Sequence, residues 1–207
     1  MTSTLNNLFK QHYNLSPLYY GTWNIIDYIY EGKIVYRRLM GLGLKYFNDV
    51  ALQTPCQAVT VFDESISVII GEMKNVMSVH NGIGISANQC GFTEAIMLVK
   101  DKKGEVHTFI NPVVIETEGM DIMSEGCLSA PEVFLSIARP TSVLLQYQDV
   151  SGETKKIMAE GIEARCILHE MEHLRGESFL KHVSRNIRKI ALSKIKKYLK
   201  NNIAKSY

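Results

Sequence analysis

"ILHEMEHLRG" (residues 167–176) sets two histidines four positions apart, with a glutamate directly after the first. On a helix, positions i and i+4 share a face, so the imidazoles of His169 and His173 can close on one metal ion. Glu170 then stands beside a ligand, within reach of a proton on water held at that ion, which is the physical content of an H-E-x-x-H helix. The same pattern also arises on a solvated helix face of mixed charge. The rest of the chain has to decide between the two.

A catalytic metal site takes three protein ligands and leaves one position open. Downstream of His173 the candidates are Glu177 and His182, and neither forms a zincin-type extension; His182 reads as a surface histidine. Upstream, "SEGCLSAP" (124–131) puts Cys127 in a glycine-containing turn between strand-like segments, 42 residues before His169. A thiolate with two imidazoles makes a site softer and one charge less positive than three histidines. The competing reading of Cys127 is a small buried hydrophobe. Cys166 is a rival at C-x-x-H spacing, but positions i−3, i and i+4 of one helix do not easily surround an ion tetrahedrally. It reads as pocket lining or core.

The chain has 207 residues, 46% hydrophobic and 21% charged, the composition of one ordinary globular domain with room for an appendage. No apolar run reaches the roughly 18 residues that a membrane span needs, and no secretory signal is expected. Cys56, Cys90, Cys127 and Cys166 are scattered and read as reduced thiols of a cytoplasmic protein. Residues 184–207 carry eight basic side chains and no acidic one, which leaves residues 1–183 with 15 basic against 21 acidic. An acidic body with a basic tail points to the tail as the part that meets a polyanion.

Residues 63–80 space Ile66, Ile69, Ile70, Met73, Val76 and Met77 as one face of a helix, with Asp63 as cap. "GIGISANQCG" (82–91) reads as a glycine-rich loop, "AIMLV" (95–99) as a buried strand and "KDKKGE" (100–105) as a turn. "VHTFINPVVIE" (106–116) and "SVLLQYQDVSGETKKIMAEG" (142–161) read as further strands, the latter broken at Asp149–Gly152. A helix is expected from about Ile162 to Leu174, stopped by Gly176. A last amphipathic helix is expected over 184–203, with Ile187, Ile190, Ala191, Ile195, Tyr198, Leu199 and Ile203 on one stripe. Residues 1–42 hold eight of the 18 aromatics, too apolar for a disordered tail, and fold onto the body or a second subunit in this reading. Strands mixed with a few helices and no βαβ rhythm indicate an α+β fold.

"GIGISANQ" (82–89), "EGCLS" (125–129) and "HEMEH" (169–173), in this order, resemble the three signature motifs of the peptide deformylases. Further agreement lies in "INP" (110–112), "RP" (139–140), "YQDVSG" (147–152) and "HLRGESFLKHVS" (173–184), so the resemblance covers roughly residues 44–184. It implies mixed, mostly antiparallel sheets packed around a central metal-binding helix, with the C-terminal amphipathic helix beyond. Residues 44–207 would be the catalytic domain, including the basic helix 184–207, and residues 1–43 an aromatic-rich extension outside the common pattern.

The implied activity is removal of the formyl group from N-formylmethionine of nascent polypeptides. By the resemblance, Cys127, His169 and His173 bind a divalent metal, usually Fe²⁺, with Zn²⁺, Ni²⁺ or Co²⁺ as substitutes. Glu170 moves the proton from water to the leaving amine. Gln89 and the backbone N–H of Leu128 receive the developing oxyanion. Gly82 and Gly84 let backbone approach the substrate peptide, and Ile83, Ile162 and Cys166 line the methionine pocket, where ordinary core packing is the alternative. Glu125 and Arg139 read as supporting charges, Arg139 paired with an acidic neighbour.

Ser86 replaces one of the two small alanines usual in the first motif. Asn81 stands where many bacterial members carry a glutamate, and Val133-Phe134 occupy the region where they carry an arginine; the loss of both charges predicts a more apolar entrance. The ribosome is a candidate partner through the basic helix; no membrane is expected. Two competing readings remain at this point, a zinc peptidase built on H-E-x-x-H and a translation-associated binding module that uses only its basic tail.

Overall fold

Segments rich in tyrosine and isoleucine near the N-terminus pair as three antiparallel strands, β1 (Ser16–Tyr20), β2 (Ile25–Tyr30) and β3 (Lys33–Leu39), as their β-branched and aromatic content favours. The computed structural model describes the backbone of residues 16–20, 25–30 and 33–39, and residues 43–202 in full. The readings placed on the aromatic side chains of residues 1–42, on Ile203 and on Lys205 lie outside those residues. The chain divides into two units, Met1–Leu42 and Gly43–Tyr207.

In the second unit, Asp63 accepts a hydrogen bond from Ser65 N at 2.9 Å and caps helix α1 (Glu64–Val79). Its buried side chains are Ile66, Ile69, Ile70, Met73, Val76 and Met77, the face that the spacing predicts. The segment read as a glycine-rich loop contains more structure. Residues Gly84–Ser86 form strand β4, and Ala87–Cys90 form a 3-10 turn ended by Gly91 at φ +84°. The turn closes because Gln89 Oε1 accepts from Ser86 N at 2.9 Å, a local bond that periodicity does not reveal.

Strands β5 (Ile96–Lys100), β6 (Val106–Glu118), β9 (Ser142–Gln148) and β10 (Thr154–Glu160) join β4 in an antiparallel sheet ordered β10-β9-β6-β5-β4. Strand β5 explains its own unbroken apolar run. Ile96 and Leu98 face α1, while Met97 and Val99 face helix α2 (Ile162–Leu174) on the other side of the sheet. Strands β7 (Asp121–Cys127) and β8 (Ala130–Arg139) pair only with each other among the described residues. Val133 and Ile137 of β8 pack against Phe179, Leu180 and the C-terminal helix α3 (Arg185–Asn202).

Helix α2 is thus covered on two sides, by the large sheet and by the β7–β8 hairpin. This is the expected α+β arrangement of antiparallel sheets around a central helix. Among the described residues no helix is long and apolar enough to cross a membrane.

One expectation for α3 is corrected. Ala191 and Ile195 are buried and Leu199 packs beside them, but Ile187 and Ile190 are 44% and 60% exposed. Ile190 lies about 100° around the helix from Ala191, off the covered stripe. In the first turn it is Arg188 that reaches the body, its Nε donating to Leu180 O at 2.9 Å.

Past its cap at Arg175, helix α2 is stopped by Gly176, which has φ +70° and donates to His173 O at 2.9 Å. A Cβ there would stand 2.8 Å from Gln53 O and 3.0 Å from Pro55 N. Gly176→Ala should therefore lower stability by roughly 1–3 kcal/mol, from left-handed strain plus the clash. Chemical denaturation measures this; an unchanged midpoint would contradict it.

Candidate active site

The histidines of α2 meet a cysteine delivered by a different sheet. The β7–β8 pairing shifts register between Gly126 and Cys127, where the hairpin turns. The ligand atoms of Cys127, His169 and His173 all lie within 4.8 Å of one another, with Cys127 Sγ 3.1 Å from His173 Nε2. Burial alone would push the Cys127 thiol up, but the charges of His173 and His169 outweigh it and hold the group well below its ordinary value. The other three cysteines behave oppositely. Burial pushes Cys56 to about 11, Cys90 to about 12 and Cys166 well above its usual range. All four are free, and Cys127 alone among them is poised as a thiolate.

A thiolate and two imidazoles within one coordination radius suit a divalent transition metal. Cys166, three residues before His169, is buried and does not belong to the group. A second cluster, Asp101, Glu105 and His107, sits at the β5–β6 turn. There Asp101 already accepts from the backbone N–H of Lys103 and Glu105 and contacts His107 at 3.0 Å, so it closes the turn.

Glu125 stands behind His169, with Oε2 3.2 Å from His169 Nδ1, which leaves Nε2 free to ligate. Arg139 grips Glu125 at 2.6 and 2.9 Å and Glu172 at 3.0 and 3.1 Å, as its expected acidic pairing requires. Arg165 adds a bond to Glu125 at 2.7 Å, and His182 Nε2 lies 2.6 Å from Glu172 Oε1. Sequence reasoning missed Arg165 and Glu172 and read His182 as a surface histidine, without its bond to Glu172. Their positions four before and three after His169 put Arg165 and Glu172 on the metal face of the helix, which was the available signal.

The glycine loop closes the other side. Gln89 has its orientation fixed by Ser86, through Oε1, and by Ser129 Oγ at 3.0 Å, and its Nε2 points toward Cys127 Sγ at 3.6 Å. Asn88 ties the same turn to α2 by donating to His173 O. A Cβ on Gly82 would lie 2.8 Å from Leu128 Cδ1, and one on Gly84 would lie 2.7 Å from Glu170 Oε1 and 2.3 Å from Cys166 Sγ. Glycine is what lets this strand approach both motifs. Glu170 is buried, its Oε2 lacks a hydrogen-bond partner, and burial pushes its carboxyl up to about 6.

Ile83 and Ile162 are 50% and 44% exposed, so core packing is not their role; Cys166 is buried. A cavity of about 330 Å³ meets Cys127 and His173 from a different side, lined by Phe47, Leu52, Ala130 and Phe179.

Burial pushes Glu125 and Glu172 up, yet their hydrogen bonds and the Arg139 charge override it and hold both at about 2. Carboxylates depressed in the folded state contribute stability that is complete above about 4.5 and is lost as pH falls toward about 2. The melting temperature of the metal-free protein should drop across that window, and less steeply in Glu172→Gln. Identical slopes for the two proteins would contradict the assignment.

Comparison with known proteins agrees with the motif-based resemblance. Residues 43–189 match the family "Polypeptide deformylase". A peptide deformylase of Prochlorococcus marinus is 37% identical over 142 residues, 66% of this chain and 70% of the relative. One from Chromobacterium violaceum is 32% identical over 164 residues, 78% of this chain and 98% of its own length. Among solved structures, a peptide deformylase from Legionella pneumophila superposes with a TM-score of 0.74 at 29% identity, covering 77% of this chain and 96% of that one. The Synechococcus elongatus enzyme, in complex with actinonin, gives 0.70 at 34% identity, covering 74% and 87%. On its sequence, its fold and the three motifs that converge on one site, the chain belongs to the polypeptide deformylase family.

Proposed function

We propose that this chain hydrolyses the formyl group from N-formylmethionine at the start of nascent polypeptides and releases formate. One observation carries the reading: a buried carboxylate oxygen of Glu170 without a partner, beside a thiolate and two imidazoles and across from an oriented amide. Cys127, His169 and His173 would hold the metal, and Fe²⁺ is the proposed ion, with Zn²⁺, Ni²⁺ or Co²⁺ as substitutes. When bound, the metal supplies Lewis acidity toward water and the formyl oxygen.

The chain's own residues account for the rest. Glu170 takes the proton from water as its oxygen bonds to the formyl carbon, then gives it to the amine nitrogen as the C–N bond breaks. Its raised affinity for the proton suits both halves of that transfer. Gln89 Nε2 and the Leu128 N–H stabilise the oxygen that gains charge, and Gln89 is oriented before that charge forms.

The peptide lies along Gly82–Gly84, with Ile83, Ile162 and Cys166 around the methionine side chain. The exposure of Ile83 and Ile162 beside buried glycines supports an open apolar entrance there. Residues 44–207 are the proposed catalytic domain and residues 1–43 an extension to it. A cytoplasmic location fits the four free thiols. The outward basic side chains of α3 propose the ribosome as partner, since its buried stripe leaves Lys189, Lys194, Lys196, Lys197 and Lys200 exposed.

Protein purified anaerobically, with its metal content measured, should release formate from a formyl-methionyl dipeptide. Glu170→Ala should keep the metal while turnover falls by roughly two to four orders of magnitude. Near-normal turnover in a metal-replete variant would overturn the mechanism, and no formate from the metal-replete native chain would overturn the function. The ribosome reading has a separate check. The full chain should co-sediment with ribosomes at low salt and come off as salt rises. Glutamine at the five α3 lysines should abolish that binding and spare dipeptide turnover. Absence of co-sedimentation at low salt would leave the helix purely structural.

A further inference from the structure

The β7–β8 hairpin carries Cys127 but pairs with no strand of the large sheet among the described residues, while both histidines ride on α2. The spacing of the three ligand atoms therefore depends on how the hairpin is fastened to the helix. Arg165, one helical turn before His169, is 3% exposed. Its Nη1 donates to Glu125 Oε1 at 2.7 Å and Ile137 O at 2.8 Å, and its Nη2 donates to Asp121 O at 2.9 Å. One helix side chain thus holds both strands of the hairpin, at the start of β7, two residues before Cys127, and on β8. Arg139 makes the reverse connection, from β8 to Glu172 on α2.

Charge accounting points the same way. The buried network holds two carboxylates, Glu125 and Glu172, against two guanidiniums, Arg139 and Arg165. Glu172 is also met by His182 at 2.6 Å and Lys181 at 3.2 Å, so the loss of Arg165 falls on Glu125, which stands directly behind His169 and would keep only Arg139 and the His169 ring as partners. Such a group acts on a metal through its ligands: it fixes where they stand before the ion arrives.

We infer that Arg165 is a positioning residue that clamps the Cys127 hairpin to the histidine helix and so sets how tightly this chain retains its metal; the inference rests on the metal-centre reading above. A role limited to satisfying the two backbone carbonyls would affect folding stability without singling out the metal.

The test uses the full chain loaded with Co²⁺, followed by its thiolate-to-cobalt absorption after addition of excess chelator. Arg165→Met should lose the ion up to about ten-fold faster than the native chain, the low end of the range for a direct partner of a metal ligand, because Arg165 reaches His169 only through Glu125. Arg165→Lys keeps the charge but not the fork, and its rate should fall between. It also decides the matter if the methionine variant does not fold. Ile69→Ala, in the α1 core away from α2, serves as a variant with lowered melting temperature and should release cobalt at the native rate. Native-rate release by both Arg165 variants, or equal acceleration by Ile69→Ala, overturns the inference. A native chain that binds cobalt without any thiolate absorption instead overturns the metal-centre reading, and this inference with it.

Discussion

Burying the carboxylate of Glu125 is the constraint around which the functional half of the molecule is arranged. An isolated buried carboxylate is strongly disfavoured, so every side of Glu125 must be met by a donor. His169 meets it from the metal side, Arg139 from β8 and Arg165 from α2. The bonds from His169 and Arg165 also join the hairpin to a helix that no backbone ladder ties to it. The hairpin needs the helix to satisfy its acid, and the helix needs the hairpin to satisfy its guanidinium. Breaking such a network by removing one partner leaves an uncompensated charge, so the arrangement is stiff where the ligand distances demand stiffness.

Opposite that charged layer lies a layer of small residues. Gly82 brings the chain just before β4 against Leu128, and Gly84 brings β4 against Cys166 and Glu170, so closely that a Cβ at either position would force a side chain to shift. The result is a carboxylate walled off from water with one oxygen uncommitted, next to donors that are already oriented. Burial raises the proton affinity of Glu170, whereas at Glu125 the bonds from His169, Arg139 and Arg165 outweigh burial and lower it. Two glutamates of one centre thus differ sharply in acidity, Glu170 at about 6 and Glu125 at about 2.

Much of this was legible in the sequence where one periodicity governs one surface. The α1 stripe from Ile66 to Met77 reflects burial of one face, and the continuous run of β5 reflects burial of both. His169, Glu170 and His173 announce themselves by spacing, and Cys127 by its short motif. Less legible was whatever depends on partners distant in sequence. Arg165 and Glu172 look like ordinary charges of a solvated helix until Glu125 and Arg139, at least 33 positions from the groups they bind on α2, are folded over them. On α3, periodicity picked out the stripe but not its extent: the core covers it from Ala191 to Leu199 and leaves Ile187 and Ile190 outside. The turn at Ala87–Cys90 is set by a side-chain bond, which no hydrophobic pattern encodes.

The central claim is that one sulfur from the hairpin and two nitrogens from the helix bind a single ion. X-ray absorption at the zinc edge, on protein loaded with one equivalent of Zn²⁺, measures this directly. The expected result is one sulfur at about 2.3 Å with nitrogen at about 2.0–2.1 Å, and loss of the sulfur in Cys127→Ser. A first shell made only of nitrogen and oxygen in the native chain would contradict it.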